Sequence, residues 1–310
     1  MVTAALPNDP LWPRAGDWPP LDALGARERA DLALIGVPAH ATSLSPTGAH
    51  ETPAAIRAAL RRYSPTLMAD RGLRGDARSL DGLVFADAGD VVEPDGPDGE
   101  ARVRAAVAAA SARAGTVVAL GGDNSLTSPV ALGAWGDRLE TAGLITLDAH
   151  YDLRDGVSNG SPVRRLLEAG LDGRRVVQIG IADFVNSREY ADRARDAGIT
   201  VVHRDELHRR PMADVFAEAL EIAGAGGGPI HVDLDVDVCD RAVAPGCPAS
   251  VPGGISAWEL RQAARAAGAD ARVESVDLAE VDATADAPDG RTVRLAALCV
   301  LEVAGGLALR

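Results

Sequence analysis

Asp148-Ala149-His150-Tyr151-Asp152 sets two carboxylates and an imidazole at alternate positions of one short segment. In an extended chain alternate side chains point to one side, so these three are expected to converge. Crowded carboxylates repel and are costly to desolvate unless a cation sits among them. A second run, Asp233-Leu234-Asp235-Val236-Asp237, has the same period, and the only counter-charge close to it in sequence is Arg241. Together the two clusters point to bound metal. Oxygen donors with one imidazole suit Mn²⁺ or Mg²⁺ better than zinc, which favours cysteine and several histidines. The carboxylates of both runs exceed what one divalent ion balances, so two ions with shared ligands are expected. Such a pair lowers the pKa of water and supplies a hydroxide nucleophile. The chemistry implied is hydrolysis.

Side chains like these need rigid elements to place them. Short, largely apolar runs that read as buried strands cover Leu32–Val37, Leu83–Ala86, Thr116–Leu120, Leu144–Leu147, Val176–Ile179, Thr200–Val202, Ile230–Asp235 and Val273–Leu278. Helix candidates lie between them. Pro53–Arg62 follows Thr52, an expected N-cap, and proline suits the first helical position. Ala101–Arg113 is almost pure Ala, Arg and Val, and Ser256–Ala267 opens with a capping-box pattern, Ser256 and Glu259. Asp95–Glu100 and Gly224–Pro229 read as surface loops. Alternating strands and helices predict an α/β fold with a parallel sheet covered on both faces. In such sheets the site lies beyond the carboxyl ends of the strands. Both acid clusters fall there, as does Gly121-Gly122-Asp123-Asn124-Ser125.

Composition removes several alternatives. The chain has 310 residues, 47% of them hydrophobic, which is enough for a large core. No run reaches the roughly 20 apolar residues of a membrane helix. Residues 1–20 lack the basic start and apolar centre of a signal peptide, so a cytoplasmic location is expected. Three cysteines, Cys239, Cys247 and Cys299, form no CxxC pair and suggest no disulfide framework. A net charge of −14 makes nucleic acid a poor partner. All 31 basic residues are arginine, so lysine Schiff-base chemistry and Walker-type phosphate loops are excluded.

GGDNS at 121–125, DAHYD at 148–152, and DVDVCD at 235–240 followed by Ala244-Pro245-Gly246 resemble, in order, the motifs of the ureohydrolase family, which includes arginase, agmatinase and formimidoylglutamase. The likeness runs from about Leu34 to the C-terminus. It implies a single three-layer, arginase-like α/β domain with an eight-stranded parallel sheet. Residues 31–310 would form that catalytic domain, and residues 1–30 an N-terminal extension packing on it. Counting back from Ala244-Pro245-Gly246 puts the ligands of the third motif at Asp235 and Asp237, and leaves Asp233 as an extra acid. By resemblance, Asp148, Asp152 and Asp235 hold one Mn²⁺; Asp148, His150, Asp235 and Asp237 hold the other. Asp152 resembles the residue that passes a proton to the leaving nitrogen, and Glu280 the acid that pairs with a cationic amidinium.

The sequence departs from arginases at two positions. Asn124 stands where they carry a histidine ligand, so the metal beside it is expected to be held more weakly. Asn159 replaces the histidine of the usual H-G-x-P. GGDNSLT, NGSPVRRLL and APGCPA together resemble the formimidoylglutamase subgroup, which implies conversion of N-formimidoyl-L-glutamate to L-glutamate and formamide in histidine breakdown. That substrate carries two carboxylates, so Arg154, and after it Arg164 and Arg165, are candidate contacts beside Asn159. His50 lies in a loop that resembles the family's pocket rim and has no assigned role. An agmatinase or other guanidino hydrolase is the rival enzyme, and a silent metal- or ligand-binding homologue the rival of another kind. Relatives form trimers or hexamers, so a homo-oligomer is expected.

Overall fold

The computed structural model describes residues 9–25, 28–68 and 78–310. Each expected strand is present. In chain order they are β1 (Ala30–Val37), β2 (Phe85–Asp90), β3 (Ala114–Gly121), β4 (Gly143–Leu147), β5 (Val176–Ile181), β6 (Thr200–His203), β7 (Ile230–Asp235) and β8 (Val273–Ala279). They form one sheet in the order β2-β1-β3-β8-β7-β4-β5-β6, with every pairing parallel. The four strands at its centre, β3, β8, β7 and β4, are the ones that lead into the chemically loaded segments. The topology thus gathers segments more than 100 residues apart in sequence at one edge of the sheet.

The apolar runs are continuous because both faces of the sheet are buried. On one face Leu32, Leu34, Val118, Leu120 and Ile145 meet Ile56 and Leu60 of helix α1 (Thr52–Leu60), Phe216 of α6 (Met212–Ala223) and Leu260 of α7 (Ala257–Ala269). The long C-terminal helix α8 (Arg291–Leu307) packs on α7 and α1 on that side. On the other face Ala33, Ile35, Val117 and Ala119 meet Val103 and Val107 of α2 (Gly96–Ser111) and Val130 of α3 (Thr127–Trp135). Farther along, Leu144 and Val176 meet Trp135 of α3, Val163 of α4 (Pro162–Ala169) and Ala194 of α5 (Arg188–Asp196). No helix among the described residues is long and apolar enough to cross a membrane.

The N-terminal segment lies along the β2 edge. Trp18 stacks on Phe85 with ring centroids 4.4 Å apart, and Pro20 bridges to Asp87. The first eight residues of the expected extension lie outside the described ones.

Two local expectations change. Asp95–Glu100 is not a loop throughout: α2 begins at Gly96, with Pro97 in its first turn, where a missing N–H costs nothing. Asp95 does not cap that helix. Its carboxylate accepts from His40 N and Ala41 N instead. Thr52 is the first residue of α1 and not its cap, because its hydroxyl donates to Val281 O. The Ser256–Glu259 capping box at α7 forms as the sequence predicts.

Candidate metal centre and active site

Asp148, His150 and Asp237 offer ligand atoms that all lie within 4.8 Å of one another. His150 Nδ1 sits 2.6 Å from Asp237 Oδ2 and 3.4 Å from Asp148 Oδ1. The convergence does not come from a straight strand. Asp148 directly follows β4, the chain then turns, and Asp152 adopts a left-handed φ of 54°. Asp235 ends β7, and Asp237 sits in the 3₁₀ turn Val236–Val238 that follows. Main-chain donors fix the carboxylates: Ala149 N to Asp237 Oδ1 at 2.8 Å, His150 N to Asp148 Oδ1 at 2.6 Å, and Asp237 N to Asp235 Oδ1 at 2.8 Å. Asn186 braces the loop from behind, donating to Ala149 O and Ala182 O and accepting from Tyr151 N.

The electrostatics describe a site built for cations. Burial, then the charge of Asp237, pushes Asp148 up to about 7. Burial and Asp148 raise Asp152 well above the usual carboxylate range; burial and Asp237 do the same to Asp235. Burial works against a charged His150, yet Asp237 and Asp148 push it up to about 12. Asp237 is also disfavoured by burial, but the His150 imidazolium beside it holds it below its ordinary value. Without metal, then, burial and mutual repulsion favour the neutral form of Asp148, Asp152 and Asp235, and the acids favour a charged His150. Asp148 Oδ2 is buried and has no hydrogen-bond partner. That orphaned oxygen and the hard donor set fit divalent cations.

Glu280 follows β8 with a left-handed φ of 62° and is 4% exposed. Its Oε1 accepts from Asn124 N at 2.8 Å and from Asn159 Nδ2 at 2.9 Å. Burial raises its pKa to about 7 despite those donors. Asn159 Oδ1 in turn accepts from Leu44 N at 3.1 Å, tying the loop of residues 40–48 to the site. Asn124 is not placed as a ligand. Its Nδ2 donates to Asp152 Oδ2 at 2.7 Å, and its Oδ1 accepts from Thr127 Oγ1 at 2.6 Å. A carboxylate neighbour demands the amide's NH₂, which turns the oxygen away.

A cavity of about 220 Å³ opens over these groups, lined among others by His150, Asp152, Arg154, Asn159, Asp235, Asp237 and Glu280. Arg154 is exposed on its wall. Its Cδ lies where a side chain at 160 would project, 2.6 Å from a Cβ built on Gly160, so glycine there leaves room for it. Arg164 does not line the cavity. Its guanidinium holds Arg154 O, Gly156 O and Glu168, and Arg165 pairs with Glu100 at 2.5 Å. His50 lies outside the cavity with its ring 4.6 Å from that of His40. Residues not foreseen also line the cavity, among them Leu44, Ser45, Asn186 and Tyr190. Position beyond β5 was the only signal for Asn186 and Tyr190.

Asp233 points along the same face of β7 but stops one repeat short of the cavity. It stands opposite Asp277 of β8 and Thr146 of β4 in register. Burial, then Asp277, raises its pKa well above normal, and both its oxygens lack a partner. Asp277 Oδ2 meets His231 Nε2 at 2.9 Å.

The sequence model of the arginase family matches residues 30–305. Formimidoylglutamase of Halalkalibacterium halodurans is 35% identical over 286 residues, covering 89% of this chain and 87% of that protein. The crystal structure of formimidoylglutamase from Bacillus subtilis superposes with a TM-score of 0.84 at 27% identity, covering 100% of this chain and 96% of that one. Trypanosoma cruzi formiminoglutamase, crystallised with Mn²⁺, superposes with a TM-score of 0.80 at 26% identity, covering 95% of this chain and 100% of that one.

Proposed function

The chain belongs to the arginase family, and from that membership we propose that it hydrolyses N-formimidoyl-L-glutamate to L-glutamate and formamide, using two Mn²⁺ ions. The similarity to formimidoylglutamases over nine-tenths of the chain's length supports the substrate. The observation that carries the reading is the cavity itself. Acids that suit cations and an amidinium line it, and Arg154 stands on its wall to meet a carboxylate. Agmatine ends in an amine and would gain nothing from that arginine.

Asp148, Asp152 and Asp235 would hold one ion, and Asp148, His150, Asp235 and Asp237 the other. When bound, the pair supplies a water activated toward attack at neutral pH. The protein's own groups do the rest. Glu280 keeps Oε1 anchored on Asn124 N and Asn159 Nδ2 and turns its other oxygen to the amidinium. Water adds to the formimino carbon and gives up a proton. Asp152, steadied by Asn124, carries that proton to the glutamate nitrogen as its bond to carbon breaks. Formamide keeps the oxygen from water. Arg154 sets the register of the glutamate part, and Arg164 shapes the loop that presents Arg154. Asn124 thus acts on Asp152 and not on metal.

The three cysteines are free and buried, which suits a reducing cytoplasm. Assembly as a homo-oligomer is part of the same reading, and light scattering measures it. The deciding experiment compares formamide release from formimidoylglutamate with urea release from agmatine, each titrated with Mn²⁺. Formamide release is expected; urea release without it would overturn the substrate.

A further inference from the structure

The 3₁₀ turn that carries Asp237 is held from outside the site as well as from within. Arg204, the first residue of the turn Arg204–His208 after β6, reaches across the end of β5. Its Nε donates to Gly180 O at 3.3 Å, and its Nη2 to Val238 O at 3.2 Å and Asp237 O at 3.5 Å. One guanidinium therefore ties the end of β5 to the turn after β7. Gly180 allows the approach: its φ is 102°, and a Cβ there would lie 2.4 Å from Val238 Cγ2.

Arg204 is 8% exposed, and its hydrogen bonds go to main-chain carbonyls, none to a carboxylate. Burying a guanidinium without a paired anion is unfavourable. Among charged groups, Asp237 attracts it most strongly, with Asp148 and Asp240 contributing. The acids of the metal centre thus help to keep this cation inside. We propose that Arg204 is a positioning residue of the metal centre, fixing the main chain of Asp237 and Val238 against the end of β5 so that the His150–Asp237 half is formed before an ion arrives. The proposal rests on the metal-site reading above.

Two effects of Arg204 oppose each other. Its charge repels a cation, whereas its fork holds a ligand in place. The lysine variant keeps the charge and loses the fork; the methionine variant loses both. Positioning is the larger effect in this proposal, so both variants weaken binding.

The test is a titration of metal-stripped full-length protein with Mn²⁺, read by the electron paramagnetic resonance signal of the free ion. Parent, Arg204→Lys and Arg204→Met are compared, with the Tm of each metal-free protein alongside. The expected result is that each variant holds one ion about tenfold more weakly than the parent, the size typical of lost outer-shell support. Activity should return as Mn²⁺ is raised, with KM for substrate unchanged. Variants that bind both ions as tightly as the parent, or more tightly, overturn the proposal even if their Tm falls. A loss of activity that added Mn²⁺ does not restore also overturns it. If Arg204→Met does not fold, Arg204→Lys decides. A parent that binds no Mn²⁺ sinks the metal reading and this proposal together, whereas normal binding by parent and variants alike sinks only the role of Arg204.

Discussion

Asn124 Nδ2 donates to Asp152 Oδ2 at 2.7 Å while Asn124 Oδ1 accepts from the Thr127 hydroxyl, so the amide orients the Asp152 carboxyl and keeps its own oxygen occupied. Asn124→Ala removes a hydrogen bond to a charged group, worth about 1.5–3 kcal/mol. That corresponds to a fall in kcat of roughly 10- to 100-fold. Mn²⁺ content, measured by metal analysis, should stay at the parent's level. A variant that loses metal in step with activity would make Asn124 a ligand.

In the proposed binding mode Arg154, on the cavity wall, meets only the far part of the substrate. Arg154→Met should therefore raise KM for formimidoylglutamate roughly tenfold, as expected for one charge-assisted contact at a solvent-accessible site. Hydrolysis of a small amidine without carboxylates should be unaffected. Steady-state kinetics on both substrates check this, and an unchanged KM for formimidoylglutamate rejects the contact.

The acids of the centre predict how the metal-free protein responds to pH. Asp148 and Glu280 have folded pKa values raised to about 7, above their unfolded values. A carboxyl shifted upward favours folding fully below its unfolded pKa and loses that contribution as pH rises through the folded one. His150, raised to about 12, contributes fully below 6.5 and loses stability progressively above it. Asp237, shifted downward, acts in the opposite sense and matters only in acid. The Tm of protein stripped with a chelator should thus fall between pH 5 and pH 8.5, and Mn²⁺ should reverse the fall. A flat profile would contradict the picture of a proton-neutralised cluster.

Asp233 and Asp235 separate register from resemblance. Asp235→Asn should abolish Mn²⁺ binding and turnover. Asp233→Asn should keep both, because its side chain faces Asp277 and not the cavity. The new amide can donate to Asp277 Oδ1, which has no partner, and no longer needs a proton to stay neutral. Its metal-free Tm at pH 8 should rise by about 2–4 °C, the equivalent of ~1 kcal/mol. The reverse pattern of metal loss would shift the motif by one strand repeat.

The sheet was legible because strands buried on both faces leave continuous apolar runs, from Leu32–Val37 to Val273–Leu278. The acid clusters were legible because Asp and His at strand ends are costly without a purpose. The route by which they converge was not. Alternation suggested a straight segment at 148–152, whereas a left-handed Asp152 bends it. Asn186 and Arg204 escaped for a shared reason: they act largely on main-chain carbonyls, which every sequence supplies and none advertises. The sequence shows the position of Asn124 but not the demand of Asp152 for a donor.

Asp152 and Glu280 are both non-glycine residues with left-handed backbones, each costing about 1–3 kcal/mol. Glycine would relax the chain at either place, and so would give the fold two of its easiest gains in heat tolerance. Both gains delete a carboxylate that lines the cavity. Thermal hardening by this route therefore has to use the same backbone outside the cavity, at Asp17, Glu93 or Phe184.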